Sequence, residues 1–271
     1  MDSAAFFTRK RLIGMVHLGP LPGSARDSGD LSGVIARAVD DARALESGGI
    51  DALMVENFFD APFHKSGVPP HTVAAMTAAV LAVRAAVAIP IGVNVLRNDA
   101  CAAMGIAHAS GAAFIRCNVY VGAVVTDQGI IEGAAREVVD LRRRLGAHVA
   151  IWADIFVKHA MSLVEWTIET EARDAVERGL ADAIIVTGSA TGSAPEHAWV
   201  RDVKAAVPQT PVLVGSGVDV RDARTLLREA DGAIVGSSLK IDGVVSNPVD
   251  VDRVRALVAV VARHFSDQAG S

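Results

Sequence analysis

Eight short apolar runs, spread along the chain and separated by stretches of helical period, constrain this sequence more than any other feature. Four share one pattern, in which a small-residue turn leads to Ala and then into the run: residues 49–56, 111–117, 179–187 and 231–236. The other four, residues 12–17, 91–95, 149–154 and 212–215, alternate with them. Each run is nearly continuous in apolar residues, which is how strands buried on both faces of a parallel sheet read. Pro90 and Pro211 stand just before two of the runs, where a strand tolerates proline. Between the first two runs Leu31, Val34, Ile35, Ala38, Ala42 and Leu45 recur at helical spacing, with Asp30 placed to cap the helix. Ser193, Pro195 and Glu196 read as a capping box with proline in the first turn, and residues 218–228 read as the helix between the last two strands. Eight strands alternating with helices over 271 residues predict an α/β fold, a single (β/α)8 TIM barrel of residues 1–271 with its core at about 11–265. An open doubly wound sheet competes poorly, because the first turn, Gly19-Pro20-Leu21-Pro22-Gly23, lacks the dinucleotide-binding glycine pattern.

Composition narrows the partners. With 31 acidic and 26 basic residues the net charge is −5, which disfavours nucleic acid, since phosphate neutralisation needs a clustered basic surface. The one basic run, Arg142-Arg143-Arg144, reads as a solvated helix face. Cys101 and Cys117 fall in separate elements with no disulfide or metal spacing, which fits a reducing compartment. The N-terminus lacks a signal-peptide apolar core, and the stretch from Val73 to Leu96 is broken by Arg84, Pro90 and Asn94. The expectation is a cytoplasmic protein without membrane insertion, with homo-oligomerisation left open.

In a barrel the site lies at the C-terminal ends of the strands. There the runs carry His17; Glu56 and Asn57; Asn94 with Arg97; Arg116 and Asn118; Asp154 with Lys158 and His159 beyond it; Thr187; Gly215-Ser216-Gly217; and Gly236-Ser237-Ser238. The N-terminal ends offer no comparable set. These motifs resemble the BtpA/SgcQ family: residues 13–23, 55–58, 92–98, Ala153-Asp154 with Val157-Lys158-His159-Ala160, and 186–192, within a match from about residue 11 to 260. The resemblance implies a TIM barrel related to the phosphate-binding barrels. The family takes its name from photosystem I biogenesis, yet relatives in non-photosynthetic organisms lie beside sugar-handling genes, so the name supplies no reaction.

Glycines after the last two strands let backbone N–H groups approach an anion, and a helix beginning near Asp219 would add its positive end. Gly215, Ser216, Gly217, Gly236, Ser237 and Ser238 are therefore the expected phosphate site. Proton transfer on a phosphorylated sugar or nucleotide-like molecule, as in an isomerase, epimerase or lyase, needs a carboxylate or imidazole and donors for a developing enolate. Asp154, Lys158, His159, His17 and Glu56 are the catalytic candidates, with Lys158 expected to pair with Asp154 and His159 to titrate near neutral pH. Asn94, Arg97, Arg116, Asn118 and Thr187 are the substrate-binding candidates. Other chemistries stay open: a divalent metal on His17, Glu56, Asp154 and His159; a Schiff base on Lys158 or Lys240; and glycosidic cleavage by a Glu56–Asp154 pair. No cofactor is indicated by a motif. The opposing class is a non-enzymatic assembly or stability factor for a membrane complex such as photosystem I.

Overall fold

A strand whose two faces are both apolar must be covered on both, and here the sheet closes on itself to do so. The computed structural model describes residues 1–157, 160–188 and 194–265. Its eight parallel strands are β1 (Arg11–His17), β2 (Ala52–Glu56), β3 (Ile91–Asn94), β4 (Phe114–Cys117), β7 (Ala150–Ile155), β9 (Ala183–Val186), β10 (Val212–Val214) and β11 (Gly232–Val235). They form a closed barrel in chain order, with β11 returning to pair with β1. Three further strands, β5 (Ala123–Thr126), β6 (Gly129–Glu132) and β8 (Met161–Ser162), make a small antiparallel sheet from the loops after β4 and β7. The apolar-run criterion misses it because these strands are two to four residues long and mostly exposed outside Val124 and Ile131.

Alternation sends every second strand residue into the barrel. The interior is filled with apolar side chains: Ile13, Met15, Met54, Phe114, Trp152, Ile185, Leu213 and Ile234 form one buried cluster. Phe114 stacks on Trp152 with ring centroids 3.7 Å apart, and a Cβ at Gly92 would collide with the Phe114 ring. The short helix Ser3–Phe6 closes the bottom, where Trp152 Nε1 donates to Ser3 Oγ at 3.0 Å and Phe6 and Phe7 lie against the indole. The outward faces pack on the surrounding helices in a second, larger cluster.

The helix Leu31–Ser47 begins as expected, with the Asp30 side chain accepting from Gly33 N. Two helix expectations need correction. The helix after β10 is only Ala223–Leu226, because Asp219 turns its carboxylate onto the N–H groups of Arg221 and Asp222 and holds residues 220–222 as a turn. The helix between β9 and β10 is His197–Ala206, with Glu196 at the N-cap position but making no side-chain cap bond, so Pro195 and Glu196 precede the helix; Ser193 lies outside the described residues. Among the described residues no helix is long and apolar enough to cross a membrane.

Candidate active site

The inward alternation that fills the barrel also places one mouth residue on each strand. His17 is the ladder partner of Glu56, Glu56 of Asn94, and Asn94 of Arg116, so four polar side chains follow one another along a single rung from β1 to β4. Arg116 is partnered by Trp152 on β7, and the next inward residue up that strand is Asp154. The circuit is completed by Thr187, Gly215 and Gly236, just past β9, β10 and β11.

A cavity of about 250 Å³ opens between the two arcs, lined by His17, Glu56, Phe58 and Arg116 on one side and by residues 215–219 and 236–238 on the other. Glu56 is 5% exposed, and Asn94 Nδ2 donates to its Oε2 at 2.5 Å. A buried carboxylate needs such a donor to offset its lost hydration. Its other oxygen stands 3.9 Å from His17 Nε2, and Phe58 lies against the imidazole at 4.6 Å between centroids.

Behind this wall Asp154 is wholly enclosed. Arg116 Nε and Nη2 donate to its two oxygens at 2.9–3.2 Å, and Asn118 Nδ2 adds a bond at 2.8 Å. Burial opposes the charge on Arg116, but Asp154 and Glu56 together hold its pKa above the usual arginine value. The expected partners of Asp154, Lys158 and His159, lie outside the described residues. Arg97 is buried within the field of Asp154 and Arg116; burial pushes its pKa below the usual range against the pull of Asp154. Thr187 is fully buried and donates to Phe156 O at 3.4 Å.

On the glycine side, Gly217 adopts φ +76°, a conformation that disfavours any side chain. A Cβ at Gly215 would stand 2.5 Å from Ile185 Cγ2. Ser237 and Ser238 both line this wall, and Ser238 Oγ donates to Val218 O at 2.7 Å. With only four residues, the helix Ala223–Leu226 supplies no dipole of note, so backbone amides are left as the feature that suits an anion here.

Several chemical expectations are corrected. Lys240 does not reach the mouth: it is buried against Asp41 of the first long helix at 2.6 Å, and burial lowers its pKa against the pull of that partner. The Asp154 oxygens accept from Arg116 and Asn118, and Asp154 does not line the cavity that Glu56 and His17 share; His159, the fourth member of the expected metal set, lies outside the described residues. Among the described residues no three His, Cys, Asp or Glu side chains converge to hold a metal ion. Cys117 is buried, and burial raises its thiol pKa far out of the reactive range.

Two residues at or near the mouth escaped the sequence reading. Phe58 follows Glu56 and Asn57 closely, and its position just past a strand end was the available signal. Glu171 sits on the helix Ile168–Arg173 and accepts from Phe156 N at 3.3 Å. Burial, reinforced by the Asp154 charge, pushes its pKa up to about 7. No sequence signal marks it, since an acidic first turn is commonplace.

Comparison with known proteins fits this geometry. The BtpA family model matches residues 8–263. The photosystem I biogenesis protein BtpA of Synechocystis is 48% identical over 257 residues, covering 95% of this chain and 90% of its own. The putative sgc region protein SgcQ of Escherichia coli is 36% identical over 250 residues, covering 91% and 92%. Among solved structures, thiamine phosphate pyrophosphorylase of Pyrococcus furiosus superposes with a TM-score of 0.59 at 14% identity, over 96% of this chain and 98% of its own. N-(5'-phosphoribosyl)anthranilate isomerase of the same organism gives 0.56 at 11% identity, over 94% and 100%. At that identity the likeness is one of fold, the TIM barrel.

Proposed function

The chain belongs to the BtpA family, and from that premise we propose that it is an enzyme performing acid–base chemistry on a phosphorylated sugar or nucleotide-like small molecule. The reaction is of the isomerase, epimerase or lyase type. One observation carries the reading: a single cavity has Glu56, His17 and Arg116 on one wall and the glycine-rich turns after β10 and β11 on the other. The phosphate sits against Gly217 and residues 236–238, the corner where many barrels hold phosphate. Both solved barrels compared above are named for phosphorylated compounds, which agrees with this reading.

Glu56 is the base. Asn94 fixes one of its oxygens, leaving the other to take a proton from a carbon beside a carbonyl. The electron pair moves onto the carbonyl oxygen, where the fixed positive charge of Arg116 stabilises the enolate. His17, close to Glu56, returns a proton at the neighbouring atom. Asp154 acts through Arg116 as a positioning residue, because a buried guanidinium needs a partner of this kind to keep its charge in place. Asn118 supports Asp154 in turn.

The test is a thermal-shift screen of phosphorylated sugars and nucleotides followed by turnover assays. A ligand at 100 times its Kd adds about 2.7 kcal/mol of stability. A hit that the Glu56→Gln variant binds but does not turn over supports the assignment. A hit that this variant turns over at the wild-type rate refutes Glu56 as base. The name of the Synechocystis relative favours a second reading, a non-enzymatic assembly factor. Under it, metabolites bind without turnover in wild type as well.

A further inference from the structure

The glycine corner continues into a loop that supplies more of the cavity wall. Gly236, Ser237 and Ser238 line the cavity, and so does Val245 further along the chain. Residues 240–249 close this loop: Lys240 and Val249 form an antiparallel bridge, and Ile241 N donates to Pro248 O at 2.9 Å. Apolar packing does not fix it, because its large side chains Ile241 and Val244 are exposed. Asn247 Nδ2 donates to Ile241 O at 3.0 Å, a bond within the loop itself.

The helix Leu31–Ser47 holds the loop from outside. Asp41, 3% exposed, takes both arms on one carboxylate: Lys240 Nζ donates to Oδ2 at 2.6 Å and Val249 N to Oδ1 at 2.8 Å. Arg37, one turn earlier, donates to Asp41 Oδ1 at 3.3 Å and to Ser246 O, beside Val245, at 3.4 Å. Lys240 N in turn donates to Ser237 O at 3.0 Å, which joins the clasp to the turn Ser237–Leu239. The bond from Ser238 Oγ to Val218 O ties the same turn to the loop after β10. A buried ion pair gains little stability over well-packed apolar side chains, because both charges give up hydration. Its distinct effect here is geometric, since each charge is satisfied only at one separation of the two segments. Backbone amides suit an anion only where they converge on it, and a binding constellation tolerates about 0.5 Å of error.

We propose that Asp41 and Lys240 are positioning residues for the phosphate corner. Their ion pair, aided by Arg37, sets the turn Ser237–Leu239 at the distance an anion requires and seats Val245 against the cavity. The inference rests on the phosphate reading above and adds to it residues that touch no ligand.

Calorimetric titration of inorganic phosphate and of ribose 5-phosphate tests it, with wild type compared to the double variant Asp41→Asn/Lys240→Met. Asparagine keeps an acceptor for Val249 N, and the two changes together leave the net charge as it was, so the distant field on the anion is unaltered. Both probes are expected to bind about tenfold or more weaker, since small misplacements of binding groups have large effects. Denaturant unfolding of the same proteins supplies the contrast: a merely structural pair shifts the unfolding midpoint and leaves the affinity of the folded protein unchanged. If the double variant does not fold, Arg37→Met decides, with an expected loss of about threefold. Wild-type affinity in the folded variants overturns this inference and leaves the phosphate reading standing. Binding of neither probe to wild type overturns both.

Discussion

The two arcs of the barrel mouth solve different problems with the same backbone geometry. From β1 to β7 the mouth position of each strand carries a polar side chain, His17, Glu56, Asn94, Arg116 and Asp154, with Asn94 bonded to Glu56 and Arg116 to Asp154 in a buried ion pair. Past β10 and β11 the mouth positions are Gly215 and Gly236, and the wall combines these glycines and Gly217 with small serines, Val218 and Asp219. The charged arc spends its side chains on one another, so its groups are fixed in place. The glycine arc carries no side chain at Gly215, Gly217 and Gly236, which leaves room there for a ligand to approach the main chain. A site needing both a placed base and a docked anion requires this asymmetry, and a barrel supplies it because each strand contributes its mouth residue independently.

Substitutions that blur the difference measure it. The largest effect is expected from Glu56→Gln, which keeps the Asn94 contact and removes the base: kcat should fall by ~10²–10⁴, with little change in the affinity for a ligand found by screening. Steady-state kinetics checks this, and an unchanged kcat takes the base away from the charged arc. Next, Asp154→Asn leaves Arg116 buried without its counter-charge and should cost about 3–5 kcal/mol of stability in denaturant unfolding. This outcome differs from that for a freely titrating catalytic carboxylate, whose amide folds normally. A variant as stable as wild type would mean that the ion pair does not hold the arc together.

Gly217→Asp brings a carboxylate into the glycine arc at a positive φ. The conformational cost is about 1–2 kcal/mol, and repulsion of a phosphate should weaken ligand binding by about tenfold or more. Equal affinity in titrations of wild type and variant would show that the anion docks elsewhere. The smallest effect concerns pH. Glu171 is held up to about 7 in the folded protein, against 4.5 as its ordinary value. The folded state therefore binds this proton more tightly than the unfolded state. The stabilisation it provides is full below about pH 4.5 and is lost as pH rises through about 7, a slope worth of order 1–3 kcal/mol. Glu171→Gln should flatten that part of the stability–pH profile, and an unaltered profile would place the titration on another group.

Some of this was legible in the chain and some was not. The eight strands read correctly because continuous apolar runs are a local property, and mouth residues such as His17, Glu56, Asn94 and Arg116 followed from their places at strand ends. The helix after β10 was read too long, because Asp219 looked like a helix-starting residue and instead closes a turn. The antiparallel sheet of β5, β6 and β8 escaped because its pairing joins residues from two different loops.

The sequence by itself determined the barrel and which side chain each strand delivers to its mouth, since strand alternation and apolar patterning act within a few residues. Only the tertiary structure decided who partners whom. Asp154 meets Arg116 across neighbouring strands, Lys240 is drawn from the mouth to Asp41, 199 positions away, and Val249 reaches the same carboxylate. The physical reason is that charge pairing and burial depend on distances between segments far apart in the chain. Those distances exist only once the sheet has closed.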